Sequence, residues 1–242
     1  TAKGRGYQPA QEQCHKFHGI GPFEIETGKA RKSGNTPPTY TEVFGNVLSE
    51  LANSDRKIVA ITAAMKEGTG LNRFAAEHPA RFYDVGIAEQ HAVTMAAGMA
   101  RGGLRPFVAI YSTFLQRALD QVIHDICTMK LPVVLCLDRA GLVGEDGETH
   151  HGVFDISFLR MIPGIEFMAP RDEIELELML RYSAKTSGPA IIRYPRGAGT
   201  GLSGHERRQI VCGRSELLRD GSDLAIIPLG SMVQPTLEAA EM

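Results

Sequence analysis

The 242-residue chain carries 26 basic and 28 acidic residues, a formal charge of −2, with 43% hydrophobic and 22% charged residues. That balance is ordinary for a globular protein and gives no electrostatic reason to expect nucleic acid or an anionic membrane as a partner. No apolar run approaches the roughly 18 residues that span a bilayer, TAKGRGYQPA lacks the apolar core of a secretory signal, and Cys14, Cys127, Cys136 and Cys212 are scattered without a CxxC, so free thiols in a reducing cytoplasm are expected.

Residues 1–38 do not read as a domain. KGRGYQPAQEQ is short and polar, and EIETGKARKSGNTPP is a Gly/Pro/Lys stretch without periodicity, which reads as linker. From Thr39 the pattern changes. Val43, Phe44, Val47, Leu48 and Leu51 fall at helical spacing and predict a helix over Tyr40–Asn53, with Thr39 or Thr41 as N-cap. KIVAIT is a strand, KEGTG a turn, and a short helix runs through Phe74. YDVG is a second strand end, and Ile87–Arg101 a helix.

Pro106–Tyr111 is a third strand and Thr113–Met129 an amphipathic helix. Leu131–Leu137 (LPVVLCL) is a fourth strand, apolar on both faces as in a parallel sheet covered by helices. Ile165–Ala169, a helix over Asp172–Ser183 and PAIIRY continue the alternation. Residues 39–200 therefore predict an open, mostly parallel α/β sheet with helices on both faces. GAGTG is a break; RQIVCGRSELLRDGSDLAIIPLG then reads as a hairpin of two strands around DG, with a helix starting at Pro235. Residues 201–242 are expected to begin a truncated C-terminal α/β domain, the whole chain being a fragment cut at both ends.

Chemically loaded residues gather at the predicted strand ends, where an α/β sheet binds ligands. Glu89 opens a helix, where a carboxylate is favoured by the helix dipole. Ile87, Ala88, Ala92 and Val93 supply an apolar surround that disfavours its charged form. A carboxyl so balanced can share a proton with a nitrogen base. Phe114 alone reads as a core aromatic, and Arg117 either shares its helix face or is solvated. Tyr111, Arg139 and Arg196 each follow an apolar strand (VAIY, VLCLDR, IIRYPR). Two guanidinium forks and a phenol suit a phosphate monoester. Asp146 and His150, in GEDGETHHG, have the spacing of a metal half-site, but no third ligand is near in sequence, so no metal site is assigned. A surface loop is the plain alternative.

IAEQH, YSTFLQRA, DRAG and THHG, in this order, resemble the pyrimidine-binding domain of the 1-deoxy-D-xylulose-5-phosphate synthase family, thiamine diphosphate enzymes related to transketolase. The resemblance runs from KGRGY through RYPRG. It implies a cytoplasmic, homodimeric enzyme that condenses pyruvate with glyceraldehyde 3-phosphate, releasing CO₂, for isoprenoid, thiamine and pyridoxal synthesis. It implies that Glu89 contacts N1′ of the cofactor's aminopyrimidine and makes the 4′-amino group basic. Phe114 would stack on that ring, Ile87 would pack on its other side, with Arg117 alongside, and Tyr7 would lie beside thiamine diphosphate. Arg139 and Arg196, with Tyr111, would hold the acceptor's phosphate. Asp146 and His150 would orient its aldehyde and assist proton transfer; His151 receives no role.

KFHG recurs in the family as linker, so Cys14, His15 and His18 read as structural. The family's GDG-and-Asn block for Mg²⁺ and diphosphate is absent here; it belongs to the family's N-terminal domain, where the Mg²⁺ ligands are expected. Two alternatives stay open: a transketolase or 2-oxoacid dehydrogenase β-type subunit working with a separate diphosphate-binding chain, and a non-catalytic binding module of the same fold. The leader from KGRGY to Thr39 speaks against the first. The joint presence of Glu89, both arginines and His150 speaks against the second.

Overall fold

The computed structural model describes residues 2–14, 17, 20–31, 36–201 and 209–242, and packing divides the chain into two units between Thr36 and Pro37. In the N-terminal unit, α1 (Gln8–Glu12) has Pro9 in its first turn, where a missing N–H costs nothing. Tyr7 packs edge-on against Phe17 and tilted against Phe23, at 5.5 and 6.0 Å between centroids, and its hydroxyl donates to the Ile25 carbonyl at 2.6 Å. His15 and His18 lie outside the described residues.

The second unit opens with α2 (Tyr40–Ser54). Thr39 caps it by accepting from the Glu42 N–H at 3.1 Å, while Glu42 accepts from the Thr39 N–H at 2.8 Å. This capping box satisfies two otherwise orphaned donors. There follow β1 (Ile58–Thr62), α3 (Asn72–Glu77), β2 (Phe82–Asp84), α4 (Glu89–Arg101), β3 (Arg105–Tyr111) and α5 (Ser112–Leu115). After a 3₁₀ turn at Gln116–Ala118 come α6 (Leu119–Gln121), a π-helical turn at Val122–Cys127, β4 (Val134–Asp138), α7 (Asp155–Leu159), β5 (Glu166–Met168), α8 (Glu173–Ser183), β6 (Ala190–Arg193) and α9 (Val233–Glu241). The six strands run parallel in the order β2-β1-β3-β4-β6-β5.

Period-two alternation sorts each strand onto two cores. Phe107 and Ala109 of β3 join Phe44 and Leu48 of α2 and Leu176 and Leu180 of α8, while Val108 and Ile110 join Ala92, Val93 and Ala96 of α4 and Leu115, Val122 and Ile126. Burying each such large side chain stabilises by roughly 1.5–3 kcal/mol. From β1 the chain steps outward to β2 and then crosses to β3 on the other side. The strand order thus reverses between β1 and β3, the kind of switch point at which open α/β sheets bind ligands.

The α/β sheet expected from the alternation is present, with several local differences. The single helix over Thr113–Met129 is instead four pieces starting at Ser112. Ala118 leaves helical geometry at φ −115°, and the Ile123 carbonyl accepts from both the N–H and the hydroxyl of Thr128 at 2.9 and 2.8 Å. This i→i+5 pattern is one that functional sites favour. Leu115, Ala118 and Val122 are buried in the core on both sides of the break. Helix α4 starts at Glu89, not Ile87, and β4 at Val134, not Leu131, because Pro132 has no N–H for a ladder. Helix α3 continues past Phe74 to Glu77; α9 starts two residues before Pro235, which sits in the first turn, where its missing N–H is tolerated. The hairpin is a correction: residues 209–229 contain no strand, and Leu217, Leu224 and Ile227 are 75%, 78% and 90% exposed. Two strands without a packed face are marginal at best.

Helix α2 meets the 65–71 turn at Gly45, where an added Cβ would lie 2.1 Å from the Gly70 carbonyl oxygen, a backbone atom. Gly45→Ala is therefore expected to lower stability by about 1–3 kcal/mol, against alanine's better helix propensity. The urea midpoint, at unchanged slope, measures this; a raised midpoint would show that the contact relaxes freely.

Candidate active site

The parallel register sets Tyr111 at the end of β3 opposite Asp138 at the end of β4. The next residue, Arg139, has φ +58°, a left-handed conformation that costs a non-glycine residue of order 1–3 kcal/mol. The turn brings its guanidinium over the Tyr111 ring at 4.0 Å from the centroid. Arg139 Nη1 donates to the Gly68 carbonyl at 2.9 Å and to Asp138 Oδ1 at 3.3 Å, and its Nε donates to Asp146 Oδ2 at 2.9 Å. Tyr111 stacks on Phe114 with centroids 5.8 Å apart and planes 9° from parallel. Arg117 lies over Phe114 at 4.8 Å and donates through Nη1 to Glu89 Oε1 at 2.5 Å. A continuous row of cation–π, aromatic and ionic contacts therefore joins Arg139 to Glu89.

Glu89 is 2% exposed in the first turn of α4, flanked by buried Ala92 and Val93. Asp146 lies between two arginines, its Oδ2 also 3.3 Å from Arg196 Nε, while Arg196 Nη2 is 3.6 Å from Glu145 Oε2. His150 meets Phe114 edge-on at 5.5 Å, with Nδ1 3.1 Å from the Thr149 hydroxyl. His151 accepts the Val143 N–H on Nδ1 at 3.0 Å, which ties down the loop. Gly141 and Gly152 close that loop with two backbone bonds of 2.8 Å. Of the candidates chosen from sequence, Glu89, Tyr111, Phe114, Arg117, Arg139, Asp146, His150 and Arg196 come together. Ile87 is 80% exposed and enters none of these contacts; Tyr7 belongs to the N-terminal unit. Among the described residues no three His, Cys, Asp or Glu side chains gather as a metal site.

Sequence reasoning placed Asp138 at a strand end but gave it no role, and it missed Thr41 as its partner and Gly68. Asp138 is fully buried, and its Oδ2 accepts from the Thr41 hydroxyl at 2.7 Å. A charge ending the otherwise apolar VLCLD was the available signal. A Cβ on Gly68 would sit 2.2 Å from the Tyr111 hydroxyl, so only glycine lets the phenol lie against this turn. Burial pushes the Asp138 carboxyl up to about 6, against the lowering pull of Arg139 and Thr41. Burial likewise pushes the Tyr111 phenol up, with Arg139 opposing. Arg193 donates from Nε to buried Asp155 at 2.8 Å, fixing the start of α7 beyond the loop.

Residues 36–200 match the family described as the transketolase pyrimidine binding domain. The chain belongs to this family. Over its whole length it is 59% identical to a 1-deoxy-D-xylulose-5-phosphate synthase of Nitratidesulfovibrio vulgaris (strain DP4), of which it covers 38%. It is 57% identical, over 99% of its length, to 1-deoxy-D-xylulose-5-phosphate synthase 1 of Geobacter sulfurreducens, again covering 38% of that protein. The chain thus spans well under half the length of these curated relatives. Among solved structures it resembles a split-gene transketolase, described as an inactive β4 tetramer, with TM-score 0.75 and 30% identity over 85% of this chain and 67% of that one. Transketolase from Leishmania mexicana, at 19% identity over 68% of this chain and 26% of that one (TM-score 0.60), shares the fold. The site at the strand ends is thus built on a transketolase-type pyrimidine-binding domain.

The buried Asp138 gives this domain a pH signature. Its folded-state value of about 6 lies above the ordinary 3.8. Its contribution to stability is therefore full below about pH 4 and lost as pH rises through about 6. Relative to Asp138→Asn, the wild type should lose on the order of 2 kcal/mol between about pH 4 and pH 7. Urea unfolding at both pH values measures the difference; a constant gap would mean that burial leaves the Asp138 carboxyl unshifted.

Proposed function

We propose that the chain is the pyrimidine-binding region of a 1-deoxy-D-xylulose-5-phosphate synthase, a thiamine diphosphate-dependent transferase that condenses pyruvate with glyceraldehyde 3-phosphate and releases CO₂. The observation that carries this reading is 59% identity across the whole chain to a protein of that name. The row from Glu89 to Arg139 supports it chemically. A split arrangement, with a separate diphosphate-binding chain, has the 30% likeness to a split-gene transketolase in its favour; the higher identity to the synthases favours the first reading. In this reading the enzyme is homodimeric and cytoplasmic: the tetrameric neighbour supports self-association without specifying a dimer, and free cysteines fit a cytoplasmic protein.

The residues fit the aminopyrimidine half of thiamine diphosphate: Arg117 joins a carboxylate 2% exposed to the partly buried Phe114 ring. When bound, the cofactor would supply a nucleophilic carbon and a cationic ring as electron sink for decarboxylation of the keto acid. Glu89 holds a proton at the ring nitrogen; Arg117 occupies one of its oxygens, and a carboxylate offers about four acceptor positions in all. Phe114 orients the ring. Diphosphate and Mg²⁺ are assigned to the part of the relatives' length that this chain does not span. Arg139 and Arg196 bind the acceptor's phosphate, whose greater charge and three acceptor oxygens let it compete with Asp146 for both guanidiniums. His150, at the Phe114 edge, transfers the proton at the acceptor oxygen.

Two measurements on the intact enzyme test this. Glu89→Gln keeps the shape and removes the shared proton, so exchange of the cofactor's C2 proton should slow by roughly 10²–10⁴-fold; wild-type exchange would leave Glu89 a helix-terminus carboxylate. Arg139→Ala and Arg196→Ala should each lower kcat/KM for glyceraldehyde 3-phosphate by roughly 10- to 100-fold, with little further loss for unphosphorylated glyceraldehyde. Equal proportional losses for both acceptors would mean that the arginines shape the site without selecting phosphate.

A further inference from the structure

We propose that Asp138 is the positioning residue of Arg139, clamping one side of the guanidinium so that the other converges with Arg196 on the acceptor's phosphate; this rests on the phosphate reading of Arg139 above. Asp138 is 0% exposed, so it acts through a neighbour. Its two oxygens are divided. Oδ2 accepts from the Thr41 hydroxyl at 2.7 Å, in the first turn of α2, and Oδ1 accepts from Arg139 Nη1 at 3.3 Å. The same Nη1 donates to the Gly68 carbonyl at 2.9 Å. The Nη1 side of the fork is thus held within the protein from two elements.

What remains directed outward is the Nε edge. Arg139 Nε and Arg196 Nε reach the same oxygen of Asp146, at 2.9 and 3.3 Å. Two guanidiniums therefore already meet on one anionic group. Arg139 leaves β4 in a left-handed conformation, so its direction is not one that the chain adopts unaided. Thr41 fixes the rotation of the carboxylate that does the holding.

Charge alone predicts the opposite of positioning. A buried carboxylate beside an anion site weakens anion binding by Coulomb repulsion, so its removal would lower the KM for a phosphorylated acceptor. Positioning predicts that removal raises it. The sign of the change separates the two.

The test uses the intact enzyme with glyceraldehyde 3-phosphate and pyruvate, and the variants Asp138→Ala, Asp138→Asn, Thr41→Val and Thr41→Ser, with Arg139→Ala as reference. Asp138→Ala should raise the KM for glyceraldehyde 3-phosphate roughly 10-fold, while kcat and the KM for pyruvate stay within about 2-fold. Asp138→Asn should be intermediate, because its amide oxygen still accepts from Nη1. Thr41→Val should raise the same KM by less, and Thr41→Ser should restore it. The Thr41 pair decides the matter where the Asp138 variants do not fold. A lowered KM, or a proportional loss in kcat and both KM values, overturns the positioning role. A raised KM in Arg139→Ala with unchanged values in the Asp138 and Thr41 variants overturns it too and leaves the phosphate reading standing. An unchanged KM in Arg139→Ala overturns the phosphate reading itself, and the proposal with it.

Discussion

Parallel pairing of β3 with β4, with Tyr111 opposite Asp138, is the constraint on which the site depends. Successive side chains of a strand point to opposite faces, so a slip of one residue would exchange Phe107 and Ala109 with Val108 and Ile110 between the two cores. That exchange would misplace side chains on both faces, and close-packed interiors tolerate little such change. The register is thus enforced by apolar burial far from the chemistry. Tyr111 and Asp138 inherit their adjacency from it, and everything beyond the strand ends is built outward from that pair.

The aromatic pair then organises the charges. Arg139 lies over Tyr111 and Arg117 over Phe114, and the two rings stack on each other. Three arginines close together would repel, yet each has a carboxylate: Arg117 has Glu89, Arg139 has Asp138 and Asp146, and Arg196 shares Asp146. The sharing of Asp146 is informative. One carboxylate oxygen serves two guanidiniums, and this convergence is what the proposed phosphate site rests on. Glycines at both ends of the 141–152 loop, bonded to each other, keep its ends together while the segment between them carries Asp146 and His150.

Most of the sheet was legible because its strands are apolar runs bounded by turn residues, and VLCL, buried on both sides, could only be an inner strand. The hairpin over residues 209–229 was misread for a related reason. DG between apolar stretches satisfies the local rule, but a strand forms only where a partner and a packed face exist, and neither is a property of the segment. The broken helix after Tyr111 was hidden likewise, since Leu115, Ala118, Val122 and Ile126 keep helical spacing across the break. Strand-end logic reached Tyr111, Arg139 and Arg196, and the resemblance supplied Glu89, Phe114 and His150. Neither gave a role to Asp138, visible only as a strand-end charge, or to Gly68, because their importance lies in contacts with residues 97 and 43 positions away, Thr41 and Tyr111. Local sequence encodes which groups stand at a strand end; only the assembled sheet says which of them is sealed beneath.

Glu89 sets a final condition on this arrangement. Its side chain is 3% exposed, while that of Arg117 is 48% exposed, so the ion pair straddles the boundary between core and solvent. A buried carboxylate without a partner is strongly unfavourable, and the α4 N-terminus alone supplies only a partial positive charge. Arg117 completes the compensation from the solvent side, from the 3₁₀ turn at Gln116–Ala118, while Leu115 and Ala118 are buried in the core. Arg117 meets the Phe114 ring and the Glu89 carboxylate together, so one guanidinium ties the aromatic row to the buried acid.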